Sequence, residues 1–133
     1  MTIQQKQDRV VFVYGSLMAG QENHQLLSGA RFLGAAMSRP LYTLFHAGAW
    51  PAATEGGTTS IQGELYRISS PQCIILDRFE GHPTLFRRRQ IVLEDERQAD
   101  AWLLESPPDV SWPIIDSGTW AAESPPTPDA KRT

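Results

Sequence analysis

The chain has 133 residues, of which 41% are hydrophobic and 20% charged, and its net charge is −3. That length suits one domain around one ordinary core, and the composition argues against disorder over most of the chain. The slight negative charge gives no electrostatic reason to expect nucleic acid or an anionic membrane as partner, and fits a small neutral or zwitterionic ligand better. One cysteine, Cys73, leaves no internal disulfide framework and no Cys-rich zinc site. His24, His46 and His82 are scattered without metal-ligand spacing, so no metal is expected. Met1 to Arg9 is polar and lacks a signal peptide's apolar run, and no stretch approaches the ~20 apolar residues of a membrane span. A cytoplasmic protein is the expectation.

Val10 to Tyr14 (VVFVY) reads as a strand buried on both faces that stops at Gly15. Asn23 to Leu27 can form a short helical turn with Asn23 as its N-cap. Arg31 to Phe45 is punctuated by Gly34 and Pro40 and reads as strand, bend, strand. Trp50 to Ser60, with Pro51, Gly56 and Gly57, reads as a loop. Ile61 to Ile68 alternates as a strand, with Ile61, Gly63, Leu65 and Arg67 on one face and Tyr66 and Ile68 on the other.

Ser69 to Phe79 is the clearest helix, capped by Ser70, with Pro71 at the first helical position and Gly81 as the stop. Phe86 to Glu94 and Gln98 to Glu105 read as a hairpin around the charged turn Glu94-Asp95-Glu96-Arg97. The motif from Ile115 to Trp120 can fold the chain back onto the core. Residues 121–133 are proline-rich and are expected to form a disordered tail after a domain spanning 1–120. Strands outnumber helices, so the expected class is α+β, built on a curved or barrel-like sheet.

Two groups carry the strongest chemical signal. At Tyr14-Gly15-Ser16-Leu17 a buried strand breaks at a glycine, which presents successive backbone N–H groups at the end of a sheet. Such a concavity suits a carboxylate, although an ordinary tight turn has the same sequence. The segment lacks the GxxxxGK[ST] pattern of a nucleotide loop. Glu80 follows Leu76 by four residues, which turns its carboxylate toward the apolar side of the helix. An apolar setting and the negative end of the helix dipole both raise a carboxyl pKa, as a base working near neutral pH requires. A side chain reaching solvent from a frayed helix end is the plainer reading.

Other polar residues have plainer roles. Arg87 and Arg89 share one face of their strand and Arg88 takes the other, which reads as a solvated surface from which one arginine could pair with a carboxylate. Asp77 reads as an exposed or structural charge, and Cys73 as a core residue. His82 lies near Glu80 in sequence, but as a loop histidine it reads as incidental. Trp102, Trp112 and Trp120 read as packing residues.

Taken together, these segments resemble the gamma-glutamylcyclotransferase-like family, including its gamma-glutamylamine cyclotransferase branch. Val11 to Leu17 is similar to the family's strand and Y-G-[ST]-[LN] loop, and Gly63-Glu64-Leu65-Tyr66 to its G-x-[LV]-[YF] strand. Leu76 to Gly81 resembles L-D-x-[FLY]-E-G, with Arg88 in the following strand, and Ser117-Gly118-Thr119-Trp120 resembles S-G-[DN]-W. The four occur in the family's order and cover about Val10 to Trp120. Phe86 stands where relatives often carry tyrosine, and Thr119 where they carry Asp or Asn.

The resemblance implies a compact six-stranded, barrel-like mixed sheet with few short helices. It also implies that Tyr14, Gly15, Ser16 and Leu17 bind the substrate's α-carboxylate and that Glu80 is the catalytic acid/base. The implied reaction closes a gamma-glutamyl compound onto itself, giving 5-oxoproline and a free amine or amino acid, without metal or cofactor. Two other classes stand beside it: a non-catalytic module binding a small carboxylate ligand in the same pocket, and a protein-interaction domain that docks through its proline-rich tail.

Overall fold

The computed structural model describes residues 8–120. In chain order the elements are β1 (Arg9–Val13), a 3-10 turn (His24–Leu27), β2 (Arg31–Met37), β3 (Tyr42–His46), β4 (Pro51–Glu55), β5 (Gln62–Ile68), α1 (Ser70–Glu80), β6 (Phe86–Val92) and β7 (Gln98–Leu104). Five strands form a mixed sheet in the order β2-β5-β1-β7-β6, with β1 and β7 parallel and the other pairs antiparallel. β3 and β4 form a separate ribbon.

β1 is central because both its faces are apolar and need cover. Val11 and Val13 pack with Tyr66, Ile68, Leu76 and Trp102, the face that α1 covers through Cys73 and Leu76. Phe12 and Tyr14 pack on the other side with Leu65, Leu103 and, from the β3–β4 ribbon, Tyr42, Leu44 and Ala53. The sheet is therefore sandwiched between a helix and a ribbon. The expected faces of β5 hold, with Leu65 and Tyr66 in opposite clusters.

The α+β class agrees with expectation, but the six-stranded barrel does not. The described residues form seven strands, and the sheet does not close. Its edges, β2 and β6, touch at one end only, through a single bridge between Ser38 and Leu93 and the bonds Arg39 N–H to Val92 C=O (3.1 Å) and Glu94 N–H to Met37 C=O (2.9 Å). A bulge between Phe32 and Gly34 (φ 126°) sharpens the twist of β2, so that its end rather than its length meets β6.

The additional strand is β4, inside the segment expected to be a loop. Proline is tolerated at a strand's first residue, which Pro51 occupies, and Gly56-Gly57 begin only after Glu55 ends the strand. The cap of helix α1 lies one residue earlier than expected. Ser69, not Ser70, accepts the Gln72 N–H (3.2 Å), which puts Pro71 at the second position. Gly81 ends α1 in the left-handed conformation (φ 71°). β6 and β7 form the expected hairpin, from Phe86 opposite Leu104 to Val92 opposite Gln98.

The C-terminal motif folds back onto the domain. Ile115 N–H donates to Leu44 C=O (2.8 Å), Gln62 N–H donates to Gly118 C=O (2.9 Å), and Trp120 is buried against His46. Gly118 (φ 76°) lies so close to Ser60 C=O that a Cβ would collide with it. The tail expected over 121–133 lies outside the described residues. No helix among the described residues is long and apolar enough to cross a membrane.

Candidate functional site

A cavity of about 320 Å³ opens where β1 ends, between the loop that follows it and the last turn of α1. Tyr14, Gly15, Ser16, Leu17 and Glu80 all line it, so both groups singled out from the sequence share one pocket. The remaining walls are largely aromatic. Trp50 meets Phe86 edge-on at 5.6 Å, and Trp102 lies beside them.

The loop is shaped by short-range bonds. Met18 N–H donates to Gly15 C=O (3.0 Å) and Asn23 N–H to Ser16 C=O (2.8 Å), while Asn23 Nδ2 donates to Ser16 Oγ (3.0 Å). The N–H groups of Gly15, Ser16 and Leu17 donate to no acceptor among the described residues. Gly15 is required for a reason the sequence concealed: a Cβ there would stand 2.6 Å from Pro51 Cγ. The close approach that calls for glycine is made by β4.

Tyr14 belongs to the framework. Its hydroxyl donates to Trp102 C=O (2.8 Å) and accepts from Ala53 N–H (3.2 Å), joining β1 to β7 and β4. Burial, reinforced by the charge of Glu80, pushes its pKa up and keeps the phenol protonated.

Glu80 is the last residue of α1, beyond the buried Cys73 and Leu76. Its carboxyl makes no hydrogen bond or ion pair among the described residues. Burial alone pushes its pKa up from 4.5 to about 7. Phe79 is 42% exposed and lines the pocket.

The same helix is fastened one turn earlier by Asp77. Its carboxylate accepts from Trp102 Nε1 (2.8 Å) and Arg88 Nη1 (2.6 Å). Arg88 is therefore no solvated strand residue, whereas Arg87 and Arg89, on the other face, both reach Glu105 (3.2 and 3.3 Å). His82 is likewise committed, since its Nδ1 accepts the Arg88 N–H (2.9 Å). Trp102 packs in the core and lines the pocket, and its indole and carbonyl tie α1 and Tyr14 to one residue.

Trp50, Pro51, Glu22 and Asn23 also line the pocket, and no motif in the sequence marked them. The N-cap assigned to Asn23 was the nearest signal, but the side chain caps nothing and bonds Ser16 instead. Among the described residues, no three His, Cys, Asp or Glu side chains converge as metal ligands.

A helix-backed mixed sheet whose glycine turn shares a partly aromatic pocket with a largely buried carboxyl defines a small α+β domain. The family described as "Gamma-glutamyl cyclotransferase, AIG2-like" matches residues 11–122, and the chain belongs to it. A putative gamma-glutamylcyclotransferase of Vibrio cholerae is 34% identical over 112 residues, covering 84% of this chain and 94% of that protein. The human gamma-glutamylaminecyclotransferase is 34% identical over 98 residues, covering 65% of this chain and 64% of that protein. Among solved structures, an AIG2-like protein from Mus musculus superposes with a TM-score of 0.78 over 89% of this chain and 91% of that one, at 24% identity, and so supports the fold. The solution structure of protein YtfP from Escherichia coli gives 0.67 at 29% identity, over 86% and 97% of the two chains.

Proposed function

We propose that the chain cyclises a gamma-glutamyl compound to 5-oxoproline and releases an amine, with Glu80 as acid/base and the Tyr14–Leu17 loop as the cradle for the α-carboxylate. The observation that carries this reading is an enclosed carboxyl, titrating at about 7, in the same pocket as a run of unpaired backbone N–H groups. The amides supply what a carboxylate needs. The carboxyl supplies what a proton transfer near neutral pH needs.

In the reaction, Glu80 takes a proton from the α-ammonium and frees the nitrogen lone pair. That nitrogen attacks the γ-carbonyl carbon, closing the five-membered ring. The carbonyl reforms as the bond to the departing nitrogen breaks, and Glu80 returns the proton to that nitrogen. The ring nitrogen sheds a second proton, which the departing amine takes up, so charge is unchanged overall and Glu80 is regenerated. Proton transfer of this kind contributes typically ~10²–10⁴-fold. Holding amine and carbonyl together contributes more, since effective molarities reach ~10⁵–10⁸ M.

The pocket also bears on the leaving group. Its charged lining residues are Glu22 and Glu80, with no basic side chain among the described residues. A leaving group with its own carboxylate finds no counter-charge there, whereas an uncharged or cationic amine is accommodated. This favours the substrate class in the human relative's name. Release of 5-oxoproline from gamma-glutamyl amines and gamma-glutamyl amino acids, by wild type and Glu80→Gln side by side, is the test. Turnover by wild type, faster on the amines, with loss of about 10² or more in Glu80→Gln, is expected. A Glu80→Gln variant with near-normal turnover refutes the acid/base role, and binding of 5-oxoproline without turnover favours a binding module.

A further inference from the structure

Glu64 lies in β5 and does not line the pocket, yet it touches the loop that does. Its Oε1 accepts two hydrogen bonds, from the Ala19 N–H (2.9 Å) and from the Tyr66 hydroxyl (2.9 Å). Tyr66 is buried between His24 and Phe32, and burial together with Glu64 pushes its pKa up to about 12. It therefore remains a donor throughout the working pH range and holds the carboxylate in one place. Ala19 is two residues beyond Leu17, on the far side of the turn that Met18 closes onto Gly15.

The other bonds to this turn come from its own neighbourhood. Asn23 holds Ser16, and His24 Nδ1 lies 2.9 Å from Leu17 C=O. Those contacts give the turn its shape, and the segment that follows is tied to α1 by Gln72 Nε2, which donates to Leu26 C=O (3.2 Å) and Ser28 C=O (3.1 Å). Tyr14 anchors its entry to β7, and Glu64 anchors its exit to β5. A turn fixed at both ends keeps one placement relative to the rest of the sheet, and through the sheet relative to α1.

We infer that Glu64 is the positioning residue of the cradle: by holding the Ala19 N–H, it keeps the Gly15, Ser16 and Leu17 amides placed to grip a carboxylate. The contact is geometric, while the ligand it serves rests on the reading proposed above. A cradle that grips the α-carboxylate does so equally in ground and transition states, so loosening it raises KM and spares kcat. Because both donors use one oxygen, glutamine can accept both through its amide oxygen.

The test is calorimetric binding of 5-oxoproline by Glu64→Ala and Glu64→Gln, with KM and kcat on whichever gamma-glutamyl compound the wild type turns over. Glu64→Ala is expected to weaken binding and raise KM on the order of ten-fold or more, the size of one lost hydrogen bond to a charged group, with kcat within about two-fold. Glu64→Gln is expected to restore wild-type values. Folded Glu64→Ala that binds as wild type overturns the inference, as does Glu64→Gln behaving like Glu64→Ala. If Glu64→Ala does not fold, Tyr66→Phe removes the other donor that holds the Glu64 carboxylate and is expected to weaken binding in the same direction. Weakened binding in a protein without turnover sinks the enzyme reading and leaves Glu64 in its role. A wild type that neither binds nor turns over these compounds overturns the cradle and Glu64 with it.

Discussion

Glu80 carries its pKa shift through burial, so its signature extends to stability as well as rate. Because the folded carboxyl titrates at about 7 rather than 4.5, its ionisation opposes folding. That cost is absent below about pH 4.5, grows as pH rises, and is fully present above about 7. Glu80→Gln should therefore leave stability nearly unchanged at pH 4 and raise it by about 1–3 kcal/mol at pH 8, read by denaturant unfolding at the two pH values. Equal effects at both would sink the burial argument. In the proposed reaction the ionised form is the active one, so kcat/KM should fall as pH drops through about 7. A profile flat from pH 5 to 8 would count against Glu80 as base. Phe86 shows a different lesson of scale: without a hydroxyl it completes an apolar wall with Trp50 instead of offering the substrate a bond.

Helix α1 exposes much of its apolar surface, since Ile74 and Ile75 are about half exposed (55% and 51%). Its docking therefore leans on two buried residues, Cys73 and Leu76, and on the Asp77 carboxylate held by Trp102 and Arg88. Removing that acceptor leaves an arginine and an indole N–H half-buried without their partner. Asp77→Leu is expected to cost about 2–4 kcal/mol of stability by denaturant melts and to lower kcat, because Glu80 lies one turn further along the same helix. Trp102→Phe keeps the carbonyl that Tyr14 uses but loses the N–H together with part of a buried ring, so it should cost a comparable amount, about 2–4 kcal/mol. Equal, negligible losses in both would show that packing alone seats the helix.

At the scale of the molecule, the meeting of the sheet's edges near Ser38 does the work that a closed barrel would spread over a full ladder. Ser38 is fully buried; its Oγ accepts the Ile61 N–H (2.8 Å), and its own N–H donates to Ile61 C=O (2.8 Å). Ser38→Ala leaves the Ile61 N–H without an acceptor and should destabilise by about 1–3 kcal/mol, measured by thermal or urea unfolding. No measurable loss would mean that the Ser38 side chain contributes little to this junction.

Sequence alone determined the properties that depend on neighbouring residues. Apolar residues of both parities marked β1 as central, Gly81 marked the end of α1, and the spacing from Leu76 turned Glu80 inward. The order of the family's segments carried the membership. Tertiary structure decided whatever depends on groups far apart in the chain. Pro51 and two glycines hid β4, because a proline's missing donor costs nothing at a strand's first residue. Three consecutive arginines look alike in sequence, and only the pairing of β6 with β7 and α1 sends Arg88 to Asp77. The need for Gly15 is set by Pro51, 36 residues away, and Glu64 reaches Ala19 across 45. Local pattern fixes which way a side chain faces; what it meets there is settled when the sheet assembles.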